Sequence, residues 1–384
     1  MWSIISLKSR VYADYAAATP VHKQVLKAMR PYWRNIFVNP NAGYHRARQV
    51  KNLLNDCEVT VRRLAHMHKD DKVMWTSGGT EANHRAIDYA IKRWKELHPG
   101  ETYTIIISNI EHPSVADFVE SIRDPLCFVE YIDVDGEGVI KLKDLGARLP
   151  SVNNLILVSC IFQSSEVGST QPIKELAQLV RKHKGGREFP YIHTDASQGL
   201  YYHKLNFRDW GIDMCTICGQ KIEGPKGSGA LLARENIEID RPGTPAVPLI
   251  IGITKALELA QSQISESNAR IRELRTLLFD TLDRYQIAYS VNGVKNAQSL
   301  LVNLSFPFCT SDSEALIVAM DERGVELSSK SACVGSQKED SRILQAMGID
   351  TVPNSLRISL HHSMKKTDIR RIAYVLAQVV RTKK

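Results

Sequence analysis

The sequence predicts an α/β fold, with a mostly parallel seven-stranded sheet in a large domain and a smaller α+β domain after it. Short apolar runs alternate with amphipathic helical patterns in the earlier part of the chain, which favours parallel strands with helices on both faces. This alternation stops after Thr244, where longer helical patterns and a few short strands follow. We therefore predict a large domain of residues 12–247 and a small domain of residues 248–384, with residues 1–11 packing near the small one.

The elements follow one another in a simple order. A short strand at Val11–Tyr15 precedes a helix near Val21–Tyr32, and apolar residues then recur at helical spacing from Arg46 to Ala65. The strands of the sheet are predicted at Val73–Thr76, Tyr103–Ser108, Phe128–Asp133, Leu155–Phe162, Tyr191–Thr194, Met214–Cys218 and Ala230–Ala233. The later elements are a long helical stretch near Pro248–Tyr285, strands near Ser299–Ser305 and Leu356–Leu360, and helices near Asp312–Arg323, Ser341–Met347 and Thr367–Thr382.

Composition excludes several classes of protein. A hydrophobic content of 43% and a charged content of 24% are ordinary for a globular protein, and no apolar run reaches the length of a membrane span. Seven scattered cysteines suit a reducing cytoplasm. The net charge of +8 is spread along the chain among acidic residues, so direct nucleic-acid binding is not expected. An acidic protein partner or a tRNA substrate stays open.

One lysine stands out in the chain. Lys221 follows the apolar run Met214–Cys218 and precedes the turn-forming Gly224–Gly227 segment. A lysine at the end of a buried strand is either an ion-pair partner or a reactive amine, and a desolvated amine forms a Schiff base with an aldehyde cofactor. The same region excludes a P-loop, because its glycines lack the Walker spacing.

Other polar residues follow the strands at positions where an open α/β sheet binds ligands. The Thr76–Glu81 segment opens a helix, which suits either a phosphate site at Gly79 and Thr80 or a simple helix cap. His112 is placed to stack on a cofactor ring or to move protons, unless it is structural. Asp195 needs a cationic partner such as a protonated pyridine nitrogen, or it caps a helix.

Together these motifs resemble a known family. The Tyr12–Pro20, Thr76–Glu81, Glu111–His112, His193–Gln198, Lys221–Gly227 and Ser328–Cys333 segments are similar to those of the cysteine desulfurases of the NifS/IscS type. These are class V aminotransferases, within the fold type I enzymes that use pyridoxal 5'-phosphate. The resemblance runs from about Tyr12 to the end of the chain.

The resemblance implies a role for each matching residue. Lys221 would carry the cofactor and move protons with help from His112, while Asn39 and Arg357 would bind the substrate. The residues implied to hold the cofactor are Gly79, Thr80, His112, Ser165, Asp195, Gln198, Cys218, Gln220, Lys221 and, from a partner subunit, Thr244. The implied reaction converts L-cysteine to L-alanine in a homodimer and delivers sulfur to an iron–sulfur scaffold or a thiolation enzyme.

Cys333 favours sulfur transfer over transamination. Its neighbours are small or polar, which suggests an exposed loop, and Lys330 and Lys338 would favour the reactive thiolate. The other six cysteines are predicted to be inert. Cys215 and Cys218 have zinc-like spacing, but no second pair follows, so no metal site is predicted.

The chain departs from the family pattern at several positions. Gln220 stands where the family has histidine, Ser165 replaces an asparagine, Cys218 replaces a serine and Lys330 replaces a glycine. The segment between Ala233 and Thr244 is also short. Two other readings therefore remain open: a different enzyme of this fold, such as a transaminase or selenocysteine lyase, or a scaffold for sulfur transfer without full activity.

Overall fold

The structure is a computed structural model that describes residues 10–239, 243–295, 298–329, 341–349 and 354–380. Its strands are β1 (Val11–Tyr12), β2 (Lys72–Thr76), β3 (Tyr103–Ser108), β4 (Cys127–Ile132), β5 (Leu155–Ser159), β6 (Tyr191–Asp195), β7 (Met214–Cys218), β8 (Gly229–Ala233), β9 (Ser290–Asn292), β10 (Leu301–Ser305), β11 (Val325–Glu326) and β12 (Ser355–Ser359). Its helices are α1 (Lys23–Arg34), α2 (His45–Leu64), α3 (Gly79–Leu97), α4 (Pro113–Glu120), α5 (Leu142–Arg148), α6 (Ile173–Lys184), α7 (Phe207–Trp210), α8 (Val247–Ser262), α9 (Ile264–Arg284), α10 (Ser313–Glu322), α11 (Arg342–Ala346) and α12 (Lys366–Val380).

The large sheet has seven strands in the order β2-β8-β7-β6-β5-β3-β4. All neighbours pair in parallel except β8, which is antiparallel to both β2 and β7. The predicted fold class is confirmed. Every predicted strand of this sheet forms, and the largest difference is that β5 ends at Ser159 rather than at Phe162.

Helices cover both faces of this sheet, as its sequence pattern requires. Ile105 and Ile107 of β3 pack in one core with residues of α3 and α4, whereas Ile106 packs in the other core. Successive strand residues point to opposite faces, so a continuous apolar strand is buried only when both faces are covered.

The predicted helical stretch near 248–285 is two helices, interrupted at Gln263. Helix α8 packs against α1 and α2, whereas α9 packs against α12. The packing partner therefore changes at Gln263, later than the domain boundary predicted between residues 247 and 248. The division into two domains stays a prediction.

The later part of the chain forms an antiparallel sheet in the order β12-β10-β9, of which β9 was not predicted. Strand β1 pairs in parallel with β11, also unpredicted, and the backbone N–H of Ser359 donates to the carbonyl of Ala13 at 2.7 Å. The segment after Arg10 is thus tied to the C-terminal sheet. No helix within the described residues has the length and apolar character to cross a bilayer.

Candidate active site

A cleft lies at the carboxyl ends of the parallel strands. Strands β3 and β5 are neighbours, but the chain continues from β3 to β4 on one side and from β5 to β6 on the other, so they mark the switch point at which open α/β sheets bind ligands. Ten predicted site residues line this cleft: Gly79, Thr80, His112, Ser165, Asp195, Gln198, Cys218, Gln220, Lys221 and Arg357.

Lys221 ends a 3₁₀ turn that directly follows β7. Its Nζ donates to the backbone carbonyls of Ala16 and Ala17, the latter at 2.8 Å. Thr19 fixes the same turn, because its Oγ1 donates to the Gln220 carbonyl at 2.9 Å and accepts from the Glu223 N–H at 2.8 Å. The amine is therefore held inside the cleft by the loop that follows β1.

Asp195 ends β6 and is buried. Its Oδ1 accepts from the Ser197 backbone N–H, and its Oδ2 accepts from Nδ2 of Asn83, both at 2.8 Å. Asn83 lies on the buried face of α3. These two hydrogen bonds fix the carboxylate in one orientation toward the cleft, where it can pair with a cationic group.

The same asparagine connects Asp195 to His112. Asn83 Nδ2 also donates to Ser114 Oγ at 2.8 Å, and that oxygen lies 2.7 Å from His112 Nδ1. The Ser114 N–H donates to His112 Nδ1 at 3.1 Å, so Nδ1 accepts and the ring proton lies on Nε2. Burial lowers the pKa of His112, which keeps the imidazole neutral at physiological pH.

Sequence reasoning did not identify Asn83 or Ser114 as site residues. A signal was present, because Asn83 interrupts the apolar face that Ala82, Ala86 and Ile87 form on α3. A polar residue on a buried helix face must find a partner. Which partner it finds depends on the packing of α3 against β6, which the local pattern does not specify.

A second polar layer supports Asp195 across three neighbouring strands. His193 of β6 lies with Nδ1 2.9 Å from Ser159 Oγ of β5 and Nε2 3.1 Å from Thr216 Oγ1 of β7. Complete burial lowers the pKa of His193 to about 4. The ring is therefore neutral and ties the ends of these strands together directly behind the site.

Glu111 bridges the switch point. Its Oε1 accepts from Ser108 Oγ at 2.8 Å and from the Ile161 N–H at 2.6 Å, which joins the loop after β3 to the loop after β5. Burial raises the pKa of this carboxyl to about 8. Glu111 is thus a structural link that positions the adjacent His112.

The start of α3 forms a narrow polar end of the cleft. A Cβ at Gly79 would lie 2.9 Å from Ser197 Oγ, so a larger residue there would displace this hydroxyl. Ser197 Oγ itself is buried and has no hydrogen-bond partner among the described residues. Glu81 accepts from the Ser77 N–H at 2.8 Å, but α3 is capped by Gly78 without a side-chain hydrogen bond, so the predicted Ser or Thr cap does not form and the anion site stays a prediction. Burial raises the pKa of the neighbouring Cys218 thiol.

Arg357 lies on β12 and is fully buried. It donates to Asp14 Oδ1 at 2.7 Å and to the Ser165 carbonyl at 3.0 Å. Its Nε has no hydrogen-bond partner among the described residues, and neither has Ser165 Oγ. The C-terminal sheet thus supplies a fixed cation to the cleft, with donor capacity left for an acidic ligand.

Three predicted site residues are not in this group. Asn39 is exposed, and its Oδ1 accepts from the Asn41 N–H at 3.0 Å. Thr244 is also exposed. Cys333, with Lys330 and Lys338, lies outside the described residues. Their roles stay predictions.

The six described cysteines carry free thiols. Cys57, Cys160 and Cys215 are buried, which raises the pKa of each thiol. The pKa of Cys127 is also raised, mainly because the thiol is partly desolvated. A raised pKa disfavours the nucleophilic thiolate at these four positions, and the inertness of all six cysteines stays a prediction.

Comparisons with known proteins agree with this geometry. Residues 11–372 match the family model described as Aminotransferase class-V. The chain is 32% identical to the cysteine desulfurase IscS of Methanosarcina thermophila, over 96% of this chain and 92% of that protein. Among solved structures, a NifS-like protein has a TM-score of 0.85 at 23% identity and covers 96% of this chain and 99% of its own, which shows a shared fold. The structure of SspA in complex with cysteine has a TM-score of 0.74 at 27% identity, over 91% and 98%.

Proposed function

The chain belongs to the class V aminotransferase family, in its cysteine desulfurase branch, and on that premise we propose how its cleft performs the reaction. Pyridoxal 5'-phosphate binds in the cleft at Lys221, L-cysteine is converted to L-alanine, and the sulfur leaves on Cys333. The observation that carries the proposal is the convergence of Lys221, Asp195 and the start of α3 at one edge of the sheet.

The residues present suit this cofactor. Gly79, Thr80 and Ser197 offer backbone and hydroxyl donors at the N-terminus of α3, and the unpartnered Ser197 hydroxyl is matched to a phosphate oxygen. Asp195, held by Asn83, is placed for a protonated pyridine nitrogen. Gln198 donates to the Ala16 carbonyl at 2.9 Å and lines the cleft beside the aspartate. When bound, pyridoxal phosphate acts as an electron sink for charge that develops at the substrate α-carbon.

The protein's own groups supply proton transfer and orientation. Lys221 is the base that moves the proton at the α-carbon, because its amine is held inside the cleft by the Ala16 and Ala17 carbonyls and in its neutral form accepts a proton. His112, neutral and with its proton on Nε2, orients the ligand from the α4 side. Arg357 binds the substrate carboxylate through the donor capacity that Asp14 and Ser165 leave free.

The sulfur transfer needs a second nucleophile. Cys333 attacks the substrate sulfur as a thiolate, a sulfur–sulfur bond forms, and the carbon–sulfur bond breaks with its electron pair left on carbon. Protonation of that carbon yields alanine, and the enzyme retains a persulfide. No external oxidant or reductant is needed. The acceptor is an iron–sulfur scaffold or a thiolation enzyme, which suits the cytoplasmic location predicted from the cysteines.

The direct test is to incubate the purified protein with L-cysteine and measure alanine and sulfide. We expect one alanine per persulfide without reductant, and continuous sulfide release with it. Production of 3-mercaptopyruvate by amino-group transfer, with no persulfide, would contradict the proposal and indicate a transaminase.

We predict that Asn83→Ala weakens both cofactor binding and turnover. The change leaves Asp195 Oδ2 and Ser114 Oγ without the donor that now joins them. A buried acceptor without its donor costs about 1–3 kcal/mol, and about 1.4 kcal/mol corresponds to tenfold in affinity. The dissociation constant of pyridoxal phosphate should therefore rise about tenfold, measured by equilibrium dialysis.

Asn109→Ala is the matched control for this experiment. Asn109 also donates its amide to an aspartate, Asp133 Oδ1 at 2.8 Å, but this pair is exposed. Cofactor affinity should be unchanged in the control. Equal losses in the two variants would show that the effect is general destabilisation.

The protein is proposed to act as a homodimer. Large apolar side chains are exposed between positions 26 and 44, with Trp33 62% and Phe37 73% accessible in the single chain. Thr244 is exposed too, and the resemblance gives it a contact with the partner subunit's cofactor. Exposed apolar side chains concentrated in one segment favour an interface.

We expect Trp33→Glu to shift the protein from dimer to monomer in sedimentation velocity, because a carboxylate would be buried in the interface. Phe128→Glu is the control, since Phe128 is similarly exposed, at 56%, but lies on the edge strand β4. A wild-type protein that sediments as a monomer would overturn the dimer.

A further inference from the structure

Three potential metal ligands converge beside the active site but outside the cleft. Glu223 lies two residues after Lys221, and His361 and His362 follow Leu360, the first residue after β12, which carries Arg357. One ligand atom from each of the three side chains lies within 4.8 Å of the others. We propose that Glu223, His361 and His362 form a binding site for a zinc ion that joins the lysine turn to the C-terminal sheet.

The two histidines offer ring nitrogens that the described protein does not use. His361 is 98% buried, and its Nε2 makes no aligned hydrogen bond, although Glu223 Oε1 lies 3.3 Å away. His362 Nδ1 is also buried and has no partner among the described residues. Buried polar atoms are rarely left unsatisfied. Two such nitrogens beside one carboxylate therefore indicate a ligand that all three share.

The buried carboxylate of Glu223 requires a cationic partner. Glu223 is buried, and among the described ion pairs it faces only His361, with no lysine or arginine. A buried charge is expensive without a charged partner or a metal. A divalent cation between Glu223 and the two imidazoles supplies that partner.

The surroundings orient two of the ligands. Tyr201 donates its hydroxyl to Glu223 Oε2 at 2.5 Å, which leaves Oε1 for the ion. Ser363 Oγ lies 2.7 Å from the other ring nitrogen of His361, and Tyr15 stacks on the ring at 4.4 Å. Outer partners of this kind fix the ring and the oxygen that face a metal.

The ligand types of Glu223, His361 and His362 favour zinc over magnesium. Two imidazoles and one carboxylate are a known zinc ligand set, with bonds of about 2.0–2.2 Å and a fourth position for water. At tetrahedral angles two such bonds place their ligand atoms about 3.3–3.6 Å apart. Glu223 Oε1 and His361 Nε2 already lie 3.3 Å apart, and side-chain rotation must bring the remaining atoms, which lie within 4.8 Å, to this spacing. Magnesium prefers oxygen ligands and should bind poorly.

An entry route leads to the site from the surface. His362 lines a depression beside α9 together with Gln263, Glu266 and Ser267. Glu266 brings a second carboxylate to this opening. None of the three proposed ligands lines the active-site cleft, so zinc binding and cofactor binding are separable.

The test is calorimetric titration of chelator-treated protein, with pyridoxal phosphate bound, by Zn²⁺ and by Mg²⁺. A Cys333→Ser background removes the Cys333 thiol as a competing ligand. We expect one zinc per chain, no magnesium binding, and a higher melting temperature with zinc. His362→Gln and Glu223→Gln should each abolish zinc binding and this shift.

His68→Gln is the matched control, because His68 also faces a carboxylate, Asp70 at 3.3 Å, but in an exposed pair. It should bind zinc as the parent does. His362 is only partly buried, so the His362→Gln protein should fold. This variant alone decides the test if Glu223→Gln does not fold. Absence of zinc binding by the parent, or unchanged binding by His362→Gln, would overturn the proposal.

Discussion

Lys221→Ala should reduce alanine formation from L-cysteine by about 10²–10⁴-fold, the range that a positioned acid–base group contributes. The amine is held at the carboxyl end of β7 by the Ala16 and Ala17 carbonyls. No other lysine lines the described cleft. A variant without this amine should also retain no cofactor mass after borohydride treatment, measured by mass spectrometry of the intact chain.

Lys226→Ala provides the matched control. Lys226 lies in the same glycine-rich turn but is exposed, so its loss should change neither turnover nor covalent attachment of the cofactor. A Lys221→Ala protein that keeps normal turnover would remove the basis of the proposed mechanism. A peptide map that places the cofactor on another lysine would do the same.

Most residues of the cleft could be predicted from the sequence, because the candidate site residues lie at the ends of predicted strands. Residues at or just after the end of a strand lie at the carboxyl edge of a parallel sheet, where open α/β sheets bind ligands. The search of these positions led to Gly79, His112, Asp195 and Lys221, and the structure has them in one cleft. The positions of helices covering both faces followed from the same pattern.

Contacts between distant segments were not predictable in this way. The link between Asn83 and Asp195, and the cluster of Glu223 with His361, join residues that are far apart in the chain. Their meeting depends on how α3 packs on β6 and how β12 lies beside the lysine turn. Short strands such as β9 and β11 were missed because two or three residues show no period.

The Arg357–Asp14 pair shows why these distant contacts matter for function. Asp14 belongs to the loop after β1, Arg357 to the C-terminal sheet, and Ser165 to the loop after β5. The same loop after β1 supplies the carbonyls that hold Lys221. A movement of the C-terminal sheet would therefore shift the loop after β1 and, with it, the position of the Lys221 amine. The proposed zinc ion would restrain that movement.

Cys333→Ser should abolish persulfide formation and lower sulfide release by about 10⁴-fold or more, the scale observed when a catalytic nucleophile is removed. A serine hydroxyl is not ionised at neutral pH and cannot accept the substrate sulfur. The absorbance of bound cofactor should stay at its wild-type level, because the residues that line the cleft are unchanged. Persulfide is measured by mass spectrometry after a single turnover without reductant.

Cys309→Ser is the control, since Cys309 is a free and partly exposed cysteine of the C-terminal region. It should keep full persulfide yield. If Cys333→Ser retained normal turnover while Cys309→Ser did not, the thiol that receives the substrate sulfur would be Cys309 and not Cys333. If both retained it, substrate sulfur would leave without an enzyme thiol, as in a lyase. The position of the accepting thiol, rather than the cofactor site, therefore decides which reaction of this fold the protein catalyses.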